Sequence, residues 1–279
     1  MEPALYIVAT PIGNLGDISR RALEVLSGVT CVAAEDTRRT GQLLSSEGIK
    51  ARMVAYHEHS APAVAEQLVA RVAAGESVAL VSDAGTPTIS DPGYRLVRVM
   101  QDAGLKVVPI PGPCAAIVAL SAAGLPSDRF AFEGFLPNKG EARRRRLELL
   151  AGEDATLIFY EAPHRILATL EDMQEVMGPG REAALARELS KSFETIRRAP
   201  LSKLCDWVRE DANQSRGEIV LLLSPARSES DVSIEPALGE LLRGMAEHMP
   251  ARQAAKLLSS YSGVRSRQLY DYLLEHRQE

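Results

Sequence analysis

Short apolar runs and segments of helical period alternate along the first hundred residues. "ALYIVAT" is an apolar run that ends in a Pro/Gly loop. "DISRRALEVLSG" spaces its apolar residues at threes and fours, with Asp17 as the expected N-cap and Gly28 as the stop. "VTCVAA" predicts a second strand, "RRTGQLLSSEG" a helix ending at Gly48, and "RMVAY" a third strand. "APAVAEQLVARVAAG" predicts a helix with Pro62 near its start and Gly75 just past its end. "SVALVS", "PGYRLVRVMQDAG" and "LKVVPI" continue the rhythm. Such β–α alternation predicts a parallel sheet with helices on both faces, here over residues 1–112.

From residue 113 the pattern changes. "DRFAFEGFLP", "ATLIFY", "EAALAREL", "FETIRRA" and "GEIVLLLS" read as strands of a second sheet, and "KGEARRRRLELLAG", "PHRILATLEDMQEVMG" and "LSKLCDWVRE" as its helices. Residues 113–225 are expected to form a second α/β domain. The Ser/Pro-rich stretch over 226–235 reads as a linker. Residues 236–279 predict three short helices, the last two joined at Gly263 as in a helix-turn-helix.

Composition narrows the class. A chain of 279 residues with 46% hydrophobic content has ample material for two cores. The formal net charge of -5 excludes a uniformly basic surface but not a local basic patch. Three scattered cysteines, Cys31, Cys114 and Cys205, suit neither a disulfide framework nor a zinc site. With no leader-like start and no apolar run of roughly 18 residues, the expectation is a soluble cytoplasmic protein without a membrane span.

Three Pro/Gly-rich loops follow predicted strands of the first sheet: "TPIGNLGD", "SDAGTPTISDPG" and "PIPGPCA". Open parallel sheets bind ligands beyond the carboxyl ends of their strands, and three such loops on one edge point to a ligand crevice. The sequence has no GxxxxGK[ST] and no GxGxxG, so a phosphate-cradling loop is not expected. Ser90 or Asp91 is the expected cap of the helix that follows the second loop.

Polar clusters mark other strand ends. Glu35 and Asp36 lie in "AAED", His57, Glu58 and His59 in "YHEHS". The two histidines have the spacing to share a metal, but no third ligand follows, and a polar strand end is the plainer reading. Cys114 at a helix start is a candidate nucleophile, although close packing suits its surroundings better. Arg143, Arg144, Arg145 and Arg146, with Lys139 ahead of them, form the densest positive charge. Arginine forks match phosphate oxygens, while four in a row must wrap a helical turn and can equally be a solvated face. Arg252, Lys256, Arg265 and Arg267 in the helical tail add to the case for nucleic acid.

Eight motifs occur in order: "LYIVATPIGNLGDIS", "AAEDTRRT", "YHEHS", "VSDAGTPTISDPG", "PIPGPCA", "FEGFLP.K", "YEAPHR" and "RELSKSFE". With them the chain resembles the tetrapyrrole-methylase-like family, in the branch that methylates small-subunit ribosomal RNA. The resemblance implies two α/β domains of the tetrapyrrole methylase type (class III methyltransferase) with a cofactor cleft between them, and a small helical tail. It implies S-adenosyl-L-methionine as donor, a cytidine ribose 2'-hydroxyl in the decoding region of 16S rRNA as acceptor, access to that RNA within the small ribosomal subunit, and a homodimer. Carried onto this chain, it implies donor contacts at Pro11, Asp83, Thr86, Pro113, Cys114, Ala115 and Tyr160. Tetrapyrrole methylases carry "GDP" where this chain has Ser82-Asp83-Ala84, which argues against a tetrapyrrole substrate. For proton removal the candidates are Glu35, Asp36, His57 and Glu58, with Glu161, His164 and Lys139 behind them. Arg38, Lys139 and Arg143 to Arg146 are the candidate RNA contacts. A methylase of corrin precursors, and a nucleic-acid-binding protein working through its tail, are the competing readings.

Overall fold

The computed structural model describes residues 1–57, 60–226, 234–264 and 266–276. Its first layer is built from β1 (Leu5–Val8), α1 (Arg20–Gly28), β2 (Cys31–Ala34), α2 (Thr37–Ser46), β3 (Met53–Ala55), α3 (Pro62–Ala73), β4 (Val78–Val81), α4 (Tyr94–Asp102) and β5 (Val107–Ile110). The strands make one parallel sheet in the order β3-β2-β4-β1-β5. Alternate strand residues serve opposite faces. Tyr6, Val8, Val32 and Ala34 pack with Val25, Leu26 and Leu44 from α1 and α2. Leu5, Cys31, Ala33 and Leu80 pack with Leu68, Val72, Leu96 and Met100 from α3 and α4. Burial on both faces is why the strands read as continuous apolar runs.

Two expected caps are corrected. Helix α1 is capped by Ser19, whose hydroxyl accepts the Ala22 N–H at 3.1 Å, while Asp17 lies in the short 3-10 turn Leu15–Asp17. Helix α4 starts at Gly93 with no side-chain cap, so neither Ser90 nor Asp91 fills that role. Gly93 sits at φ 136°, and a Cβ there would lie 2.7 Å from Leu80 Cδ2. The chain enters α4 through a backbone shape and a close approach that glycine alone accommodates.

The second layer comprises α5 (Ala115–Ala123), β6 (Phe130–Phe135), α6 (Gly140–Leu150), β7 (Thr156–Glu161), α7 (Ile166–Met177), β8 (Glu182–Arg187), β9 (Thr195–Pro200), α8 (Leu201–Glu210) and β10 (Ile219–Leu223). Its sheet runs β6-β7-β10-β8-β9, with β6 parallel to β7 and the other pairs antiparallel. Helices α6, α7 and α8 cover one face through Leu147, Leu170 and Leu204. Helix α5 covers the other through Ala116, Ala119 and Leu120, joined there by Ile12 from the first layer.

The arginine run does not form a free cationic face. Arg143 is buried, with Nε 2.6 Å from the Asp172 carboxylate on α7, and Arg144 reaches the other oxygen of Asp172 at 2.9 Å. Arg145 pairs with Glu141 at 2.7 Å and Arg146 with Glu133 on β6. The expectation that Arg143 contacts phosphate is corrected: its guanidinium pins α6 to α7.

Residues Pro225–Glu279 and Gly152–Asp154 form a separate compact unit. In it, α9 (Pro236–His248), α10 (Ala251–Ser262) and α11 (Ser266–Glu275) enclose Leu242, Ala254, Ala255, Leu258, Leu269 and Leu273. Gly263, at φ 72°, ends α10 in the left-handed conformation, as the helix-turn-helix reading requires. Arg252 stacks over the Tyr270 ring at 5.7 Å and Lys256 is exposed. Arg265 and the side chain of Arg267 lie outside the described residues. Among the described residues no helix is long and apolar enough to cross a membrane.

Candidate active site

The carboxyl ends of β1, β4 and β5 carry the three Pro/Gly-rich loops, and short polar links tie them together. Thr10 and Gly85 exchange backbone hydrogen bonds at 2.9 and 3.0 Å, clipping the first loop to the second. The Thr86 hydroxyl donates to the Pro113 carbonyl at 2.9 Å, clipping the second to the third. The Ala116 N–H at the start of α5 donates to the Tyr160 hydroxyl at 3.2 Å, fastening the third loop to β7.

These links surround a cavity of about 390 Å³, within the size range of small-molecule sites. The first layer contributes Ile12, Gly85, Thr86, Ile89 and Asp91; the second contributes Cys114, Ala115, Phe135, Tyr160 and Glu161, among others. Tyr160 anchors the aromatic wall, with Phe132 at 4.9 Å and Phe135 at 5.7 Å between ring centroids, both edge-on. Burial pushes the Tyr160 hydroxyl well above the ordinary phenol range, so it is a neutral donor and acceptor.

The charge of the lining is one-sided: Asp91, Glu161 and Glu218 face the cavity, and no Lys, Arg or His lines it among the described residues. Glu161 is buried and fully engaged, by the Thr169 hydroxyl at 2.6 Å, the Ala162 N–H at 2.7 Å and Arg165 at 3.3 Å. Glu218 is exposed and pairs with Lys191 at 3.1 Å. Asp91 differs. Burial, followed by the charge of Glu35, raises its carboxyl from the ordinary 3.8 to about 6, and a hydrogen bond with Ser82 only partly offsets this. An acidic cavity without cations fits a positively charged ligand and disfavours a polyphosphate.

Of the expected donor contacts, Thr86, Cys114, Ala115 and Tyr160 line the cavity. Pro113 stands one bond behind the lining through its carbonyl, and Pro11 precedes the lining residue Ile12. Asp83 faces elsewhere. Its carboxylate accepts the Asp36 N–H at 3.0 Å and pairs with Arg39 at 3.0 Å. Glu35 in turn accepts the Asp83 N–H at 3.2 Å. Asp83 thus joins the loop after β4 to the start of α2, and Asp91 is the acid that reaches the cavity. Spacing gave no sign of this, because the loop turns back on itself at Thr88 (φ 77°) and Ser90 (φ 62°), two non-glycine residues in the left-handed region.

Of the candidate bases, Glu161 lines the cavity, engaged as described above, whereas Glu35, Asp36, His57, His164 and Lys139 do not. Asp36 caps α2 by accepting the Arg38 N–H at 2.8 Å, and the Arg38 side chain holds its carboxyl down to about 2. A carboxylate so stabilised is a weak base. Arg38 is itself occupied by this pair, at 2.9 Å, although still exposed. His57 is exposed beyond β3, the edge strand, and Glu58 and His59 lie outside the described residues. His164 sits in the 3-10 turn Pro163–Arg165 and is exposed. Lys139 precedes α6 and, with Glu141, Ala142, Arg145, Arg146 and Leu149, borders a shallow surface hollow.

A parallel α/β layer and a mixed-sheet layer meeting at a donor-sized acidic cavity define a class of two-layer methyltransferases. The chain belongs to the tetrapyrrole (corrin/porphyrin) methylase family, whose model matches residues 4–205. A second model, the RsmI C-terminal HTH domain, matches residues 232–277. More particularly, the chain is 53% identical to a protein of Escherichia coli O157:H7 named ribosomal RNA small subunit methyltransferase I, covering 98% of this chain and 95% of that one. Proteins of the same name from Pseudomonas aeruginosa (53%, covering 98% and 97%) and Mesorhizobium japonicum (50%, covering 99% and 92%) are similar over the same extent. Among solved structures, the methyltransferase CobJ superposes with a TM-score of 0.59 at 21% identity, over 80% of this chain and 94% of that one. Uroporphyrin-III C-methyltransferase from Thermus thermophilus complexed with S-adenyl homocysteine superposes at 0.54 with 17% identity, over 80% and 98%. These likenesses concern the fold.

Proposed function

We propose that the chain is an S-adenosyl-L-methionine-dependent methyltransferase of the small-subunit ribosomal RNA, acting on the ribose 2'-hydroxyl of a cytidine in the decoding region. One observation carries the donor assignment: the cavity is acidic, partly aromatic and, among the described residues, free of cationic side chains, and its loops present backbone groups. The near-full-length similarity to proteins named for ribosomal RNA methylation supports the acceptor class. We further propose that the enzyme works as a homodimer in the cytoplasm on RNA within the assembled small subunit.

When bound, the donor supplies an activated methyl group, which passes from sulfur to the hydroxyl oxygen as the hydroxyl proton leaves. The chain's contribution is mainly positional. Loops clipped at Thr10–Gly85, Thr86–Pro113 and Ala116–Tyr160 hold the donor wall rigid. Placement of this kind can lower a barrier by roughly 7–11 kcal/mol. Lys139 is exposed, and Arg38, Arg145 and Arg146 remain exposed enough to meet phosphate if they exchange their carboxylate partners for it.

The test is to incubate the protein with labelled donor and small ribosomal subunits from a strain lacking its gene, then to map 2'-O-methylation. One new ribose methyl on a decoding-region cytidine is the expected result. Donor binding without transfer to subunits or their RNA would remove the substrate assignment and bring corrin precursors forward as the next acceptors to test.

A further inference from the structure

Among the described residues Asp91 is the cavity's one acid without a cationic partner, since Glu161 is satisfied by Arg165 and Glu218 by Lys191. The charges that act on Asp91 are acidic: Glu35 and Asp83 raise its proton affinity, and Arg39 is paired with Asp83. The Ser82 hydroxyl offsets this only in part, and it also donates to the Ala84 carbonyl at 3.3 Å. The backbone that delivers it is wound through left-handed residues at Thr88, Ser90 and Gly93. Strain of this kind persists where the surrounding structure fixes a side chain in place. Much of the lining shared with Asp91 is apolar or aromatic, including Ile12, Ile89, Cys114, Phe135 and Tyr160, while Glu161 and Glu218 carry their own cationic partners.

That combination suits one kind of cation. An ammonium asks for several hydrogen-bond acceptors. A sulfonium donates no N–H or O–H hydrogen bonds and is recognised by charge and by aromatic surface. Resting on the donor assignment above, we propose that Asp91 is the specificity-determining residue for the donor's sulfonium charge, and so the residue that distinguishes the methylated donor from its neutral thioether product. Methyl transfer breaks the S–CH3 bond with its electron pair left on sulfur, forms a C–O bond, and releases the hydroxyl proton to solvent. The sulfur is then neutral, and Asp91 is again left without a counter-charge. The site therefore holds donor more tightly than product and favours product departure.

The experiment is calorimetric titration of S-adenosylmethionine and S-adenosylhomocysteine into the wild-type protein and into Asp91→Asn and Asp91→Glu. Asp91→Asn is expected to weaken donor binding about tenfold or more while changing product binding less than about threefold, with partial recovery in Asp91→Glu. Unchanged product binding also certifies that the variant is folded. Equal weakening of both ligands assigns Asp91 to the shared ammonium and overturns the proposal, as does a fall in kcat with both affinities unchanged. If the wild-type protein binds neither ligand, the donor assignment itself fails, which is a distinct outcome.

Discussion

Thr86 and Pro113, on loops that follow different strands, are joined by a single hydrogen bond from hydroxyl to carbonyl at 2.9 Å. Both loops border the cavity, so this bond sets the width of its first-layer side. In Thr86→Val the carbonyl loses its partner. The expected cost is about 1 kcal/mol of stability, as for a single neutral hydrogen bond. Donor affinity should fall severalfold, because the loops must be drawn together on binding. Thermal unfolding and donor titration of the same sample check both parts; a stability loss with unchanged affinity would assign the bond to the scaffold alone.

Arg143 and Arg145 stand two residues apart and should behave in opposite ways. The Arg143–Asp172 pair is buried on both sides, at 2.6 Å. Arg143→Ala strands a buried carboxylate, which still keeps Arg144 at 2.9 Å, and should cost about 3 kcal/mol, the lower end for breaking a buried pair. Arg145 is 74% exposed, and its i,i+4 pair with Glu141 contributes little. Arg145→Ala should leave the unfolding midpoint nearly unchanged and weaken RNA binding, with a shallower salt dependence. Denaturant unfolding with RNA binding at two salt concentrations distinguishes the two roles.

The contrast within that run explains what a sequence can and cannot reveal here. The strands of the first sheet were legible because burial on both faces leaves long apolar runs, and α3 because Pro62 and Gly75 bracket it. The clustering of the three loops followed from parallel topology. The burial of Arg143 was not legible, since it depends on Asp172 from another helix. Nor was it legible that Asp91, and not Asp83, lines the cavity. Both are aspartates of one loop, and only the backbone reversal at Thr88 and Ser90 decides which of them meets the cavity.

Asp36 provides a test of the proton-transfer candidates. Its carboxylate caps α2 and is held by Arg38, away from the cavity lining. Asp36→Ala should lower the unfolding midpoint through loss of the cap. It should leave donor affinity unchanged and methyl transfer within about threefold of wild type, a small step beside the typical effect of removing a general base. A loss of turnover of a hundredfold or more with a normal melting curve would restore Asp36 as a catalytic residue.

Asp91 makes the stability of the ligand-free protein depend on pH in a direction that can be worked out. Its carboxyl is raised by burial, and then by Glu35, from 3.8 to about 6. The folded state therefore holds this proton more tightly than the unfolded chain does. Below about pH 4 the group is protonated in both states, and its effect is neutral. Between pH 4 and 6 stability falls as the unfolded chain ionises first, and above about pH 7 a constant penalty remains. The full shift would correspond to about 3 kcal/mol, and solvent screening of a half-buried group reduces this to about 1–2 kcal/mol. Asp91→Asn removes the penalty. The variant should come close to the wild type below about pH 4 and exceed its unfolding midpoint at pH 7–8, with the gap opening between pH 4 and 6. A donor carrying a sulfonium should narrow that gap by stabilising the wild-type carboxylate, whereas the thioether product should leave it open. Unfolding midpoints at four pH values, with and without each ligand, test both statements; an Asn variant less stable than wild type at pH 8 would mean that the Ser82 hydrogen bond outweighs the buried charge.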